Sequence, residues 1–277
     1  MEEIRKIIRI IRLVFKINWV KTLYVNFKTQ RLSEAIKLPI IVFGKLKLKS
    51  LKGKIIFECP VKFGIIQIGK DIDYLSSSYL PTIISISSGN VIFKGKLILS
   101  GGNTIICNGG NIILGKYVIL ATGVNIRSYK KIEIGEYTRL ASNCFIMDTN
   151  VHYLLNNENK KVSNIQEDIF IGKYCWLNSG TTIAKGAIIP DYSISTRNSY
   201  LNKDYSLENR TGLLLVGSPA RIKGENYQRI FSYATETRIK KIFRGNEALK
   251  EIDLSLVVEN DRYVEGDKDF EAFFKIL

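Results

Sequence analysis

Residues 171–193, IGKYCWLNSGTTIAKGAIIPDYS, carry the reading that decides the fold. Ile171, Leu177, Ile183 and Ile189 fall six apart, and each is followed four positions later by a small residue, Cys175, Thr181, Ala187 or Ser193. The beat extends backwards through Leu114, Leu120 and Ile126 with Val118 and Val124, and through Ile134, Leu140 and Ile146 with Thr138 and Cys144. A helix would need a period near 3.6 and a half-buried strand strict alternation. One large aliphatic and one small residue per six suits a chain that turns a corner every six residues, with the aliphatic side chain filling a narrow interior. A fixed short period of this kind predicts a solenoid, here an all-β one.

Around this core the chain divides into three parts. Residues 1–36 form a basic segment in which 4–27 read as an amphipathic helix. Arg5, Arg9, Arg12 and Lys16 recur along one side, Ile4, Ile7, Ile8, Ile11, Val14 and Phe15 cover the other, and Trp19, Tyr24 and Phe27 follow. Residues 37–113 hold short β-rich runs punctuated by glycine: Ile40–Phe43, Ile55–Phe57, Ile66–Ile68, Ile83–Ile86, Val91–Phe93, Leu97–Leu99 and Ile105–Cys107. These read as early, irregular coils of a solenoid domain spanning 37–224. The regular coils are interrupted once, by a polar loop at 148–168 that breaks the six-residue phase. Residues 225–277 lose the beat and form a helical extension, with Tyr227–Phe243 and Asp267–Leu277 as helix candidates.

Composition narrows the function classes. Of the net charge of +15, residues 1–70 carry +12, from 16 Lys/Arg against 4 Asp/Glu. This imbalance implies a local surface role for the N-terminal quarter. That segment either caps the open end of the solenoid or lies in a membrane interface with its basic residues on anionic lipid, and one helix could do both. No apolar run reaches bilayer-spanning length. The N-terminal stretch, cut by Arg9, Arg12 and Lys16, does not read as a signal peptide. Cys59, Cys107, Cys144 and Cys175 show no CxxC spacing, and the latter two occupy small interior slots, so buried reduced thiols and a cytoplasmic location are expected.

Residues 134–223 resemble the left-handed β-helix acyltransferases, the hexapeptide-repeat family. The resemblance rests on several stretches in order. Ile134-Gly135-Glu136-Tyr137-Thr138 and Ile171-Gly172-Lys173-Tyr174-Cys175-Trp176 have the family's aliphatic-Gly-x-x-small form. Ile146-Met147-Asp148-Thr149-Asn150-Val151-His152 is similar to the segment carrying its catalytic histidine. Leu215-Val216-Gly217-Ser218-Pro219-Ala220-Arg221-Ile222 is similar to the sequence that closes the helix in the branch acetylating sugars and antibiotics. The resemblance implies a left-handed prism of three parallel sheets, acetyl-CoA as donor, a carbohydrate acceptor, and a homotrimer with active sites between subunits. One departure stands out: Arg197, in Ser195-Thr196-Arg197-Asn198-Ser199, occupies a place where the family has a small residue beside the pantetheine arm.

Acetyl transfer to a hydroxyl needs a base, alignment and an oxyanion partner. His152, the only histidine, is the expected base, because imidazole titrates near neutrality. Asp148 is expected either to orient it, to cap the loop or to contact the acceptor. Trp176 flanks the coenzyme or acceptor pocket or packs a corner. Ser179 and Gly180 are expected to bond the pantetheine amides, with a backbone N–H there suiting the oxyanion. Arg197, Lys203, Arg221 and Lys223 are available for the coenzyme's phosphates.

No metal is expected. A γ-type carbonic anhydrase of the same fold needs three histidines, and one cannot supply three different ligand positions. Nothing in residues 1–70 resembles a nucleotide-binding domain or a nucleic-acid module. Residues and resemblance together lead to the expectation of an acetyl-CoA-dependent O-acetyltransferase acting on a sugar hydroxyl of a bacterial surface polysaccharide precursor. The rival is a non-enzymatic trimeric scaffold bound to anionic membrane.

Overall fold

The computed structural model describes residues 14–70, 72, 80–206, 210–257 and 274. Two compact units divide the chain between Gln228 and Arg229. The first is a parallel β-helix. Each coil lays down up to three short strands, and each strand pairs in parallel with its counterpart one coil away.

On one face the order is Ile40–Val42, Ile66–Ile68, Leu97–Leu99, Ile119–Leu120, Arg139–Leu140, Trp176–Leu177, Ile194–Ser195 and Leu214–Val216. A second face stacks Leu46–Leu51, Thr82–Phe93, Thr104–Leu114, Asn125–Ser128, Phe145–Met147, Thr182–Ala184 and Tyr200–Leu201. The third contains Lys54–Phe57, Lys131–Ile134, Ile169–Ile171 and Ile188–Ile189, with the far halves of Thr82–Phe93 and Thr104–Leu114. Those two strands run through the corner, so the runs Ile83–Ile86 and Val91–Phe93 join into one. The strand Leu46–Leu51 was not among the sequence runs. Its leucines alternate with Lys47 and Lys49, the pattern of a strand with one wet side.

The six-residue beat becomes interior columns. Leu99, Leu120, Leu140, Leu177, Ser195 and Leu215 are in register up the first face. Ile105, Ile126, Ile146, Ile183 and Leu201 climb the second, and Leu114, Ile134, Ile171 and Ile189 the third. Nearly all are fully buried, each contributing about 1.5–3 kcal/mol by the usual scale for aliphatic burial. Ser195 interrupts its column, and its hydroxyl is satisfied by Asn178 N at 2.9 Å and Thr181 Oγ1 at 2.7 Å.

The corners explain the small residues. Before Val118, Thr138, Cys175 and Ser193 stand Tyr117, Tyr137, Tyr174 and Tyr192, all with positive φ between 54° and 63°. Their rings form a ladder, Tyr137 on Tyr174 at 4.5 Å and Tyr174 on Tyr192 at 5.1 Å. Stacking offsets part of the cost of left-handed backbone at a bulky residue. A second corner uses Gly123, Asn143, Gly180 and Asn198, again left-handed. A Cβ on Gly180 would meet Asn198 Oδ1 at 2.1 Å, so glycine is required there twice over.

Both ends of the β-helix are closed. At the far end, Leu214–Val216 pairs antiparallel with Arg221–Gly224 through the turn at Gly217–Ala220. At the near end lies the helix Trp19–Thr29. Thr22, Val25 and Asn26 face inward and are fully buried. Thr22 Oγ1 accepts from Val42 N at 3.0 Å, and the Asn26 amide both accepts from Ile40 N and donates to Ile40 O. The edge strand Ile40–Val42 thereby has its hydrogen bonds satisfied.

Two helix boundaries differ from expectation. The single helix over 4–27 lies partly outside the described residues. Within them it is broken at Ile17, which bridges Phe43, and Asn18, whose side chain caps a fresh helix through Lys21 N at 3.1 Å. The helix expected over Tyr227–Phe243 runs over Tyr233–Gly245 in the second unit. Ser232 accepts from Thr235 N and sets its start. The candidate at Asp267–Leu277 falls outside the described residues, apart from Phe274.

Candidate active site

Residues 148–168 leave the coil between Met147 and Ile169, where the second face would turn into the third. The excursion is pinned at its base. Glu167 N donates to Asp148 O, Thr149 bridges Gln166, and Asn150 N donates to Ile165 O at 2.9 Å. Glu167 and Asp168 form ion pairs with Lys185 of the coil above and Lys130 of the coil below. Further out, Leu155 bridges Val162 and Asn156 N donates to Lys161 O, giving a hairpin-like arm.

His152 sits near the root of this arm, on its exposed surface. Its N–H donates to Asn150 O at 2.7 Å across Val151, whose φ is +66°. A hydrogen-bonded three-residue turn centred on a β-branched residue in left-handed backbone is strained, and such strain gathers at functional positions. Among the described residues the imidazole has no hydrogen-bond partner, so both ring nitrogens are available. Sequence reading passed over Val151, since nothing in a lone valine reports its φ.

Of the three roles expected for Asp148, its hydrogen bonds match the capping one. Asp148 is fully buried. Its Oδ2 accepts from Ser128 Oγ at 2.8 Å and Lys130 N at 2.9 Å, and its Oδ1 from Tyr129 N at 2.8 Å. The carboxylate therefore caps the corner of the coil below. It is shut off from solvent, and its hydrogen bonds run to the coil below and none to His152. A signal was present: Asp148 lies two beyond the interior Ile146, as Ser128 lies two beyond Ile126, and strand alternation points it inward.

The remaining candidates gather elsewhere. Ser179 and Gly180 form the corner between the first and second faces, and Asn198 N donates to Ser179 O at 3.0 Å. Arg197, one coil above Ser179, is exposed on the same edge. Trp176 lies beside this corner, half-buried on the outer side of the first face, paired with Arg139 and Ile194. Arg221 enters on the closing strand opposite Val216, also on that face. Lys203 does not join them. It lies at the corner between the second and third faces, with Nζ 5.3 Å from the Tyr205 ring centre, and Lys223 is exposed further along the closing strand.

The expected oxyanion donors are corrected. Gly180 N–H donates to Ser142 O at 3.0 Å and Ser179 N–H to the Asn178 side chain at 2.9 Å, so both are committed to holding the corner. The Ser179 hydroxyl, by contrast, has no partner among the described residues.

Within one chain His152 and this edge lie at different corners, with the whole second face between them. The arm presents Val151, Tyr153, Leu154, Leu155 and Val162 to solvent, from 47% to 69% exposed, more apolar surface than a free loop needs.

No family model matches the chain, and no curated protein matches it in sequence. Among solved structures it is similar to the polysialic-acid-specific acetyltransferase NeuO, at 17% identity over 76% of this chain and 95% of that one, TM-score 0.41. It is similar to the polysialic acid O-acetyltransferase OatWY, at 20% identity over 72% and 95%, TM-score 0.39. It is also similar to AntD, an N-acyltransferase from Bacillus cereus solved with dTDP and 3-hydroxybutyryl-CoA, at 14% identity over 78% and 98%, TM-score 0.38. At such low superposition the fold rests on this chain's own strand pairing, and its function on its own residues.

Proposed function

We propose that the chain is an acetyl-CoA-dependent O-acetyltransferase that modifies a sugar hydroxyl, acting as a homotrimer of left-handed β-helices in which neighbouring copies complete each site. The observation that carries this reading is the single histidine, without a side-chain partner among the described residues, on a strained turn at the root of an excursion whose base is tied by Asn150 N–H to Ile165 O and Glu167 N–H to Asp148 O. A merely solvated histidine needs no such mounting.

The chemistry follows from the groups available. His152 takes the proton of the acceptor hydroxyl as its oxygen attacks the thioester carbonyl. The tetrahedral intermediate collapses with cleavage of the carbon–sulfur bond, and the imidazolium returns the proton to the departing thiolate. The donor lies along the corner edge of the adjacent copy, its pantetheine beside Trp176, the Ser179 hydroxyl and the Gly180 carbonyl. Arg197 and Arg221 serve its phosphates, since guanidinium geometry matches phosphate oxygens. The apolar arm residues are covered by the neighbouring copy. The acceptor class comes from the family resemblance, as a precursor of a surface polysaccharide in the cytoplasm.

Thiol release from acetyl-CoA, screened across sugar nucleotides and lipid-linked glycans, tests the reading. Acceptor-dependent release that falls about 10²–10⁴-fold in His152→Ala is expected. Absence of release with every acceptor of the panel would favour the scaffold alternative, and a loss below about tenfold in His152→Ala would remove His152 as the base.

A further inference from the structure

The near end of the β-helix presents a surface that acyl transfer does not use. With Thr22, Val25 and Asn26 turned inward, the opposite side of the helix Trp19–Thr29 carries Val20, Leu23, Tyr24 and Phe27, exposed by 44% to 77%. Leu32 and Ile36, at 69% and 64%, extend the apolar surface. By helical spacing, Lys21 and Lys28 flank this ridge on one side. Residues 14–57 contain ten Lys/Arg and a single acid, Glu34. Beside the start of the helix, Asn18, Lys21, Lys45, Leu46, Lys47 and Pro81 line an open cleft of about 450 Å³. Among the described residues Lys21, Lys28, Lys45 and Lys47 form no ion pairs.

We propose that this end of the molecule is a docking surface for an anionic lipid bilayer. The ridge of Val20, Leu23, Tyr24 and Phe27 inserts at the boundary between headgroups and acyl chains, and a lipid phosphate enters the lysine-lined cleft. Aromatic and aliphatic side chains opposite a firmly anchored face, with cations alongside, are what an interfacial helix requires. A duplex nucleic acid would reward the lysines but leave the apolar ridge wet. No helix among the described residues is long and apolar enough to cross a membrane, so the attachment is to one surface. The side that meets lipid is the aromatic one. The expected cap and the expected membrane helix are thereby one element with two faces. The inference is independent of the acyl-transfer reading, because binding is read without substrate.

Flotation of the full-length protein with phosphatidylglycerol–phosphatidylcholine vesicles, against phosphatidylcholine alone, is the test. Binding on the order of tenfold or more stronger to the anionic vesicles, weakening with salt, is expected. The double variant Val20→Glu/Phe27→Glu loses most of that binding with its melting temperature unchanged. Lys45→Gln/Lys47→Gln loses on the order of tenfold and has a flatter salt dependence. Absent binding, equal binding to both vesicles, or unchanged binding of the glutamate variant overturns the proposal. So does self-association without vesicles that Val20→Glu/Phe27→Glu abolishes, which would assign the ridge to a second copy. Tighter binding to duplex DNA than to anionic vesicles, unaffected by the glutamates, would do the same.

Discussion

The Asp148 carboxylate accepts the Ser128 hydroxyl at 2.8 Å, twenty residues back and one coil below, and is thereby turned away from the histidine four positions on. On the proposed function, structure and chemistry in this segment are divided between two residues, and the two substitutions should part accordingly. Asp148→Ala leaves the Tyr129 and Lys130 N–H groups without their acceptor and the Ser128 hydroxyl with only Asn111 O at 3.2 Å, and should cost about 3 kcal/mol of stability in a denaturant titration. His152→Ala should change stability by less than about 0.5 kcal/mol, as for other exposed positions, yet remove turnover. If Asp148→Ala is fully stable and catalytically dead, the carboxylate belongs to the reaction after all.

Gly180→Ala probes the corner stack. A methyl there meets Asn198 Oδ1 and must adopt a φ of +74°. The expected loss is about 2 kcal/mol, part of it recovered by adding Asn198→Gly, which removes the contact but not the backbone cost. A neutral Gly180→Ala would contradict the stacking of these two corners.

Val151→Gly relieves left-handed backbone at a β-branched residue. Stability should rise by about 1 kcal/mol while turnover falls, because the turn that aims His152 loosens. A stability loss in thermal melts would show that Val151 is held by packing and carries no strain.

The interior thiols give a pH dependence. Burial pushes Cys144 and Cys175 up to about 12 and Cys107 to about 11, from a usual value of 9.0. Folded-state values above the unfolded one mean a stability contribution fully present below pH 9 and lost as pH rises towards 11–12, since only the unfolded chain ionises in that window. Denaturant midpoints should hold up to pH 9 and then fall, less steeply in Cys144→Ala/Cys175→Ala. In the native protein iodoacetamide at pH 8 should reach Cys59 alone, the half-buried one. Native alkylation of Cys144 or Cys175 would contradict their burial.

The interior columns were legible because Ile171, Leu177, Ile183 and Ile189 recur every six residues, an interval that neither a helix nor a flat strand imposes. The phase break at 148–168 coincides with the segment that leaves the coil. Less legible were features that depend on which coil lies beneath. The partner of Asp148 is a corner twenty residues away, and the commitment of the Gly180 amide appears only when Ser142 is stacked below it. The tyrosine ladder left a trace, Tyr117, Tyr137, Tyr174 and Tyr192 each standing just before a small corner residue, but its left-handed backbone is a property of the turn. Near the N-terminus, apolar spacing continued across Asn18 and so hid a break made by Ile17 pairing with Phe43. Which helix face turned inward was decided by the open hydrogen bonds of Ile40 and Val42, and a hydrophobic pattern does not record them.

The division of the site between copies is tested most directly by mixing two inactive variants. His152→Ala lacks the base, and Ser179→Trp blocks the donor edge while keeping His152. Co-expressed with distinguishable tags and purified as mixed oligomers, the pair should regain a substantial fraction of acceptor-dependent thiol release, because some interfaces then join an intact histidine to an intact edge. Mixed oligomers that form and remain as inactive as either parent would contradict a site shared between subunits.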